Sequence, residues 1–535
     1  MLGHATEPSA NSCPLSWPEQ RRNLVLFACC TGMQYLAAPV LYVGITQASL
    51  CDRLGADART ANLPGTLFFA MTAIPAIIAW ASPRVASLKR NLMLCYSTSA
   101  LMLATLAVVL MLPLPDSVKL AMVILQAGVS GAVMPAAIAL LWEAIGRGSN
   151  ESRRGLALSL AFGAGPILAV LGSFAQSVLL GDGTDTDLSK FAALFGAGAP
   201  VMGLAAWFSG FLIVPPVVCE PQREPLSAVA PLLIGVPLMF AAVALMHAAS
   251  MTTQQPHVKS AAVTANEPPD RSEAKTVIDP AVEARSQHFR LAGYATAICA
   301  AVALVYHFRS LLRQRVLLLA TVVTILVYSG NVIPSNMNLY APTAIGVSDN
   351  TTVKSDTTLE SSPTTEAKKE LPAKYAGRQN MLRFGFKVVA GALLGWVLTR
   401  TNPRTGILAT STIFLLAQMW AMLVTGPWYL VAFGIFGVGE LIGVYSPNYI
   451  VSASRTNDLR RNMAFVTMLM VPAAPAGYLY GAIVDYVSQH KLTALGMTPV
   501  ALGYRLSFLV CGLFILSGIV VAVMLLPKQP RVPTE

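Results

Sequence analysis

Few residues in this 535-residue sequence have both the type and the setting for chemistry, and Glu440, within GIFGVGELIG (434–443), stands out first. A carboxylate can exchange a proton, balance a cation or, in a glycine-rich loop, sit beside a bound phosphate. Spacing excludes the loop. Gly437, Gly439 and Gly443 give G-x-G-x-x-x-G rather than G-x-G-x-x-G, inside a 27-residue apolar run, 427–453, with no soluble strand before it. At 1.5 Å per residue, Glu440 lies about 20 Å from the outer end of that run, near mid-membrane. A carboxylate there costs at least about 2.5 kcal/mol unless it is protonated, paired or hydrated, so a coupling acid facing a cavity is expected. The alternative is a protonated Glu bonded to a neighbouring helix. Gly439 and Gly443, four apart, form a small-x-x-x-small pair that lets helices approach closely.

Two cations can answer this acid. Arg383 and Lys387 stand four apart on one helical face. Lys387, about 10 Å from the outer surface by the same rise, either binds an anionic group or neutralises Glu440. Arg383 is expected to be an interfacial anchor. Uncharged polar residues fill out the candidate cavity. Tyr328, Asn331, Ser335 and Asn338 recur on one face beside Gly330 and Pro334, and Thr31, Tyr35, Tyr42 and Thr46 form a comparable stripe with Gln34 adjacent. Tyr445 and Asn448 follow Glu440 at i+5 and i+8. The expected solute-binding set is Lys387, Gln34, Tyr35, Tyr328, Asn331, Asn338, Tyr445 and Asn448, although such stripes also serve as interhelical hydrogen-bond glue. Asp485, Glu143 and His307 fall near span ends and are expected to be interfacial.

These residues must be held by elements that live in lipid. The chain is 55% hydrophobic and only 12% charged, with mean hydropathy +0.59. A soluble domain carries about 25% charged residues. Fourteen runs long enough to cross a hydrocarbon layer are expected, among them 24–48, 316–346, 381–399, 427–453 and 463–487. Unpaired backbone amides are not tolerated in lipid, so these are helices and the fold class is an all-α polytopic membrane protein.

Net charge +11 is a topology signal. Arg21, Arg22, Arg84, Lys89, Arg90, Arg147, Arg153, Arg154, Arg309, Arg313, Arg315, Arg400, Arg404, Arg455, Arg460 and Arg461 fall in alternate connections, while the opposite loops hold few cations and include the acidic GDGTDTDLSK. That bias puts both termini in the cytoplasm, and the cell (inner) membrane is the expected location. No basic patch with interleaved aromatics suits a nucleic acid. Residues 1–23 read as a cytoplasmic tail, followed by a retained helix rather than a removed signal peptide. The eight cysteines show no ligand-like spacing, so no metal, cofactor or disulfide framework is expected. Two polar stretches, about 251–290 and 347–378, have the composition of disordered outer loops.

An internal repeat organises the spans. AWASPR (79–84) returns as GWVLTR (395–400), and NESRR (150–154) as NDLRR (457–461), at equivalent inner loops. The domains that follow are a bundle of six helices at 24–219, a two-helix insertion at 220–315, a second bundle of six at 316–526 and a tail at 527–535. On these residues the chain resembles the major facilitator superfamily in its fourteen-helix form. GWVLTRTNPR (395–404) fits that family's inner-loop signature except that Thr399 replaces the acid, and GAGP (163–166) is similar to part of a motif of its exporters. The resemblance implies two six-helix bundles of the major facilitator type with two extra helices between them, working as a monomer in membrane lipid. It also implies a cytoplasmic gate drawn from Arg84, Arg153, Arg154, Arg400, Arg404, Arg460 and Arg461. The expected function is secondary transport of a small polar or anionic solute by alternating access, with protons exchanged at Glu440. An uncoupled facilitator or exchanger and a transporter-like receptor are the alternatives. No nucleophile–base pair or nucleotide motif supports an enzyme.

Overall fold

The structure, a computed structural model, describes residues 15–42, 44–149, 165–181, 187–215, 226–254, 280–307, 314–346, 365–400, 402–453 and 468–529. The described residues are almost wholly helical and contain no strand. Eight helices among them are long and apolar enough, by length and composition, to cross a membrane. The chain is an all-α polytopic membrane protein.

Its burial pattern is that of a protein solvated by lipid. In α7 (Leu88–Met111) Leu92, Tyr96, Leu103, Leu106 and Leu110 face inward, while Leu94, Leu101 and Val108, seven apart, are among the most exposed residues. A soluble helix would place polar residues on that outer stripe. The final helix, α20 (Pro499–Leu525), does the same with Leu509, Leu513, Leu516, Val520 and Val523.

In the amino-terminal half, α1 (Trp17–Leu36), α2 (Ala38–Leu41), α3 (Ile45–Arg53), α4 (Ala58–Ala61), α5 (Leu63–Ala70), α6 (Ile74–Ala81), α7, α8 (Asp116–Gly148), α9 (Gly165–Leu180) and α10 (Leu188–Ser209) surround one core. Leu24, Phe27, Leu41, Leu92, Tyr96, Val123, Leu141, Phe191 and Phe195 belong to it. A capping box opens α1: Ser16 and Glu19 bond reciprocally, which holds the Glu19 carboxyl below its ordinary pKa. The carboxy-terminal half contains α13 (Arg315–Tyr328), α14 (Pro334–Ile345), α15 (Thr365–Arg400), α16 (Pro403–Leu423), α17 (Val431–Gly439), α18 (Ile442–Ser452), α19 (Pro475–Gln489) and α20. These two halves form one compact unit. Residues 224–312 form a second unit, a hairpin of α11 (Leu226–Gln254) and α12 (Pro280–His307) with Pro231 and Pro237 inside its first helix.

Three of the discontinuities in the expected spans bear on the candidate residues. The first span bends at Gly44, whose φ of 134° only glycine adopts readily. The expected span 316–346 passes through a 3-10 turn at Ser329–Val332 before Pro334, which has no amide to donate. The expected span 427–453 breaks between α17 and α18, with Glu440 at the break.

The expected outer loop 347–378 is shorter than composition indicated, because α15 starts at Thr365 and Pro372–Ala373 and Ala376–Gly377 are already buried. Polar residues in EAKKELPAKYAGRQN hid that helix, yet its inner face carries small side chains that pack. The other polar stretch is likewise narrower, since α11 runs to Gln254 and α12 begins at Pro280.

Following the chain, α3, α14 and α19 end on the side opposite the starts of α1 and α13 and the end of α20. On this far side hydrogen bonds cross between the halves. Asn338 Nδ2 donates to Ile45 O at 3.2 Å and Ser49 Oγ at 2.8 Å, Ser335 Oγ to Gly44 O at 3.3 Å, and Asn62 Nδ2 to Asn336 Oδ1 at 2.6 Å. Asn380 Nδ2 donates across to Gln176 Oε1 at 2.9 Å, and Gln176 Nε2 is held within its own half by Thr46 Oγ1 at 2.9 Å. At the opposite side, among the described residues, Asn23 bonds Gly148 O and Ile213 O within the amino-terminal half, and Arg404 Nη2 donates to Val523 O at 2.5 Å within the carboxy-terminal half.

Candidate functional site

Glu440 ends α17, its amide bonded to Phe436 O at 3.0 Å, and its side chain leaves the helix where the backbone breaks. Arg383 of α15 grips both carboxylate oxygens. Its Nε donates to Oε2 at 2.8 Å and its Nη2 to Oε1. Lys387 Nζ lies 2.6 Å from Oε2. All three side chains are enclosed, at 6%, 15% and 12% exposure for Arg383, Lys387 and Glu440. A forked, two-point guanidinium contact is among the strongest a carboxylate makes, and burial strengthens it further.

Aromatic rings hold the cations in place. The Arg383 guanidinium carbon is 5.4 Å from the Phe384 ring centroid and 5.5 Å from that of Phe436, and Lys387 Nζ is 5.1 Å from Phe384. On the amino-terminal half, Tyr35 and Tyr42 pack with Ala38, Ala169 and Val170 around Phe384. Both tyrosines are within electrostatic reach of Glu440. The site therefore has a charged wall from one half and an aromatic wall from the other.

The glycines of GIFGVGELIG explain how α15 and α17 come close enough. A Cβ on Gly437 would fall 2.0 Å from Arg383 O, and one on Gly434 would fall 2.8 Å from the Phe386 ring. Of the pair expected to allow close approach, Gly439 does so, since a Cβ there would fall 2.4 Å from the Phe414 ring, while Gly443 does not: the helix breaks between them and a Cβ on Gly443 would lie 3.8 Å from Tyr328 Oη. We expect Gly437→Ala to push the two helices apart, lowering the thermal midpoint of the detergent-solubilised protein by an amount equivalent to about 1–3 kcal/mol. An unchanged melting curve would contradict this packing.

The remaining expected site residues divide. Arg383, expected at the interface, is buried and in the cluster; α15 begins far earlier than the expected span, so Arg383 is well inside the helix. Gln34 donates to Tyr96 Oη within the amino-terminal core, turned away from Glu440. Asn338 belongs to the far-side seam. Tyr445 packs among Val438, Ala390, Ala409, Ile413 and Leu441. Tyr328 is buried beside Gly443, and Asn331, in the 3-10 turn, has a buried Oδ1 with no hydrogen-bond partner. Asn448 lies in α18, and its side chain is outside the described part.

Of the expected gate, Arg153, Arg154, Arg460 and Arg461 lie outside the described residues, as does the Arg400 side chain; Arg84 is exposed. Asp485, expected at the interface, is buried against Arg59 of the other half, and Glu143 pairs with Arg147 at 2.7 Å. Sequence reasoning had a signal for Arg383 in its four-residue spacing from Lys387. For Asp485 it had none.

No protein-family model matches the sequence, and no curated protein matches it. Solved structures do. A POT family transporter in complex with 5-aminolevulinic acid is similar over 94% of this chain and 96% of its own, at 14% identity and TM-score 0.58. An auto-inhibited POT family peptide transporter is similar over 97% and 99%, at 12% identity and TM-score 0.57. This chain has a transporter fold. The nucleoside transporter NupG shares it over 93% of this chain and 98% of its own, at 10% identity and TM-score 0.52.

Proposed function

We propose that this protein is a secondary active transporter of the major facilitator type, moving a small anionic solute by alternating access with proton coupling at Glu440. The observation that carries this reading is the clasp of Arg383 and Lys387 on Glu440, placed beside broken helices where the two halves meet. Discontinuous helices at mid-membrane are where transporters of this general design hold solutes and coupling ions. The solved structures include proteins named for peptides and nucleosides, and one in complex with 5-aminolevulinic acid; they support a polar cargo.

Charge arithmetic narrows that cargo. Two cations face one carboxylate, so the cluster carries a net positive charge in a poorly solvated place, and a solute bringing one negative charge neutralises it. A solute carboxylate offers Arg383 and Lys387 what Glu440 offers them in the structure. As it takes them, Glu440 loses its partners and becomes the group that accepts a proton; the loaded site then carries one positive charge with a monocarboxylate and none with a dicarboxylate. Solute and proton are then bound together and released together, and rocking of the halves carries both.

The far-side seam corresponds to a state closed on that face. With the cytoplasmic orientation assigned from the basic loops, this is the inward-facing state. The same reading takes the chain as a monomer of the cell (inner) membrane, with fourteen spans and both termini inside.

Purified protein in liposomes and a panel of radiolabelled mono- and dicarboxylates provide the test. We expect accumulation of a carboxylate when the outside is made acidic, and its collapse with a protonophore. Counterflow that ignores the pH gradient would identify an uncoupled exchanger, and binding without flux a receptor.

A further inference from the structure

We propose that Asp485 is the latch that keeps the far side closed. Its carboxylate, on α19 of the carboxy-terminal half, accepts a hydrogen bond from a backbone amide of the amino-terminal half, Arg59 N at 3.0 Å, beside the main chain of Ala58. The Arg59 Nε lies 3.6 Å from the same oxygen, and the guanidinium carbon lies 5.5 Å from the Tyr478 ring centroid. The Asp485 side chain is only 9% exposed. A carboxylate from one half thus ties down main chain of the other.

The contact is built for close approach. Gly477, Gly481 and Asp485 recur every four residues along α19, forming one stripe. A Cβ on Gly481 would fall 2.7 Å from Arg59 Cα and 2.8 Å from Ala58 O, and one on Gly477 would fall 2.8 Å from Thr66 Oγ1. No side chain fits at Gly481 while Asp485 holds its amide.

Asp485 also differs in kind from the neutral seam bonds described above. The bonds of Asn338, Ser335, Asn62 and Asn380 join neutral groups, whereas Asp485 brings a charge, and charge-assisted hydrogen bonds are roughly twice as strong. When the far side opens, the neutral amides exchange one partner for water on nearly even terms, while the Asp485 bond is the stronger one to give up. The balance between the two facing states therefore turns on this residue. This inference rests on the alternating-access reading, but its test does not require a cargo.

Hydrogen–deuterium exchange read by mass spectrometry on the full chain supplies that test. Residues 57–62 report the latched amide; residues 45–50 and 334–340 report the neutral seam; residues 88–111 serve as a control for general unfolding. In Asp485→Asn we expect the first three segments to exchange about tenfold faster or more, the effect of losing a hydrogen bond to a charged group, with the control unchanged. Gly481→Ala keeps the charge but separates the helices at the same point, and it should accelerate the same three segments. It decides the matter if Asp485→Asn does not fold. Faster exchange confined to 57–62 would make Asp485 a local cap and overturn the proposal, as would no change at all. An opened seam without flux of any carboxylate would remove the transport reading and leave the latch; flux with a seam that stays protected in both variants would do the reverse.

Discussion

In a Glu440→Gln variant, carboxylate uptake is expected to lose its dependence on the proton gradient, leaving at most gradient-independent exchange. The glutamine amide keeps the size of the side chain and removes its proton chemistry. The same change leaves Arg383 and Lys387 enclosed together with no counter-charge. Breaking a buried ion cluster by removing one partner costs about 3–5 kcal/mol, so the thermal midpoint should fall, and added carboxylate should restore part of it by occupying the emptied clasp. Uptake as a function of pH and melting curves with and without carboxylate measure both effects. An unaltered pH profile would exclude Glu440 as the coupling group.

The second large effect is expected at Arg383. Arg383→Leu keeps apolar volume between Phe384 and Phe436 but removes the fork, and the remaining Glu440–Lys387 pair is electrically neutral. The attraction for an anion disappears while the fold keeps a paired carboxylate. KM for a transported carboxylate should rise about a hundredfold, at the upper end of the loss of hydrogen bonds between charged groups, with a much smaller fall in melting temperature than in Glu440→Gln. Initial rates over a range of solute concentrations give the comparison. A wild-type KM in this variant would mean that the solute binds elsewhere.

The two variants test a site that was partly legible beforehand. Glu440 announces itself because a single acid in a 27-residue apolar run has so few structural explanations, and Lys387 because a lysine inside an apolar span has few others, even at a shallower expected depth. The all-helical membrane fold follows from backbone hydrogen bonding in lipid and needs no tertiary information. What hydropathy could not reveal is that polar residues ahead of the apolar run, such as Gln379 and Asn380, are helical and buried. The start of α15 at Thr365 moves Arg383 from an expected membrane edge into the cluster.

Polar stripes were harder still. Asn338 and Tyr328 lie on one periodic face, yet a bend at Ser329–Val332 sends the first to the seam and leaves the second beside Gly443. A stripe drawn on a straight helix cannot anticipate that divergence. Asp485 was illegible for a different reason: its partner is a main-chain amide more than 400 positions away, and any sequence supplies such amides.

All three ionised groups of the clasp ride on the carboxy-terminal half, on helices locked together through Gly437. Rotation of one half against the other would leave their mutual distances unaltered, so the proposed movement would change the hydration around the cluster rather than its geometry. Among the described residues, the amino-terminal half meets the site with the phenols of Tyr35 and Tyr42. Under the proposed alternating access, one half would sense and its counterpart would choose which bath is admitted.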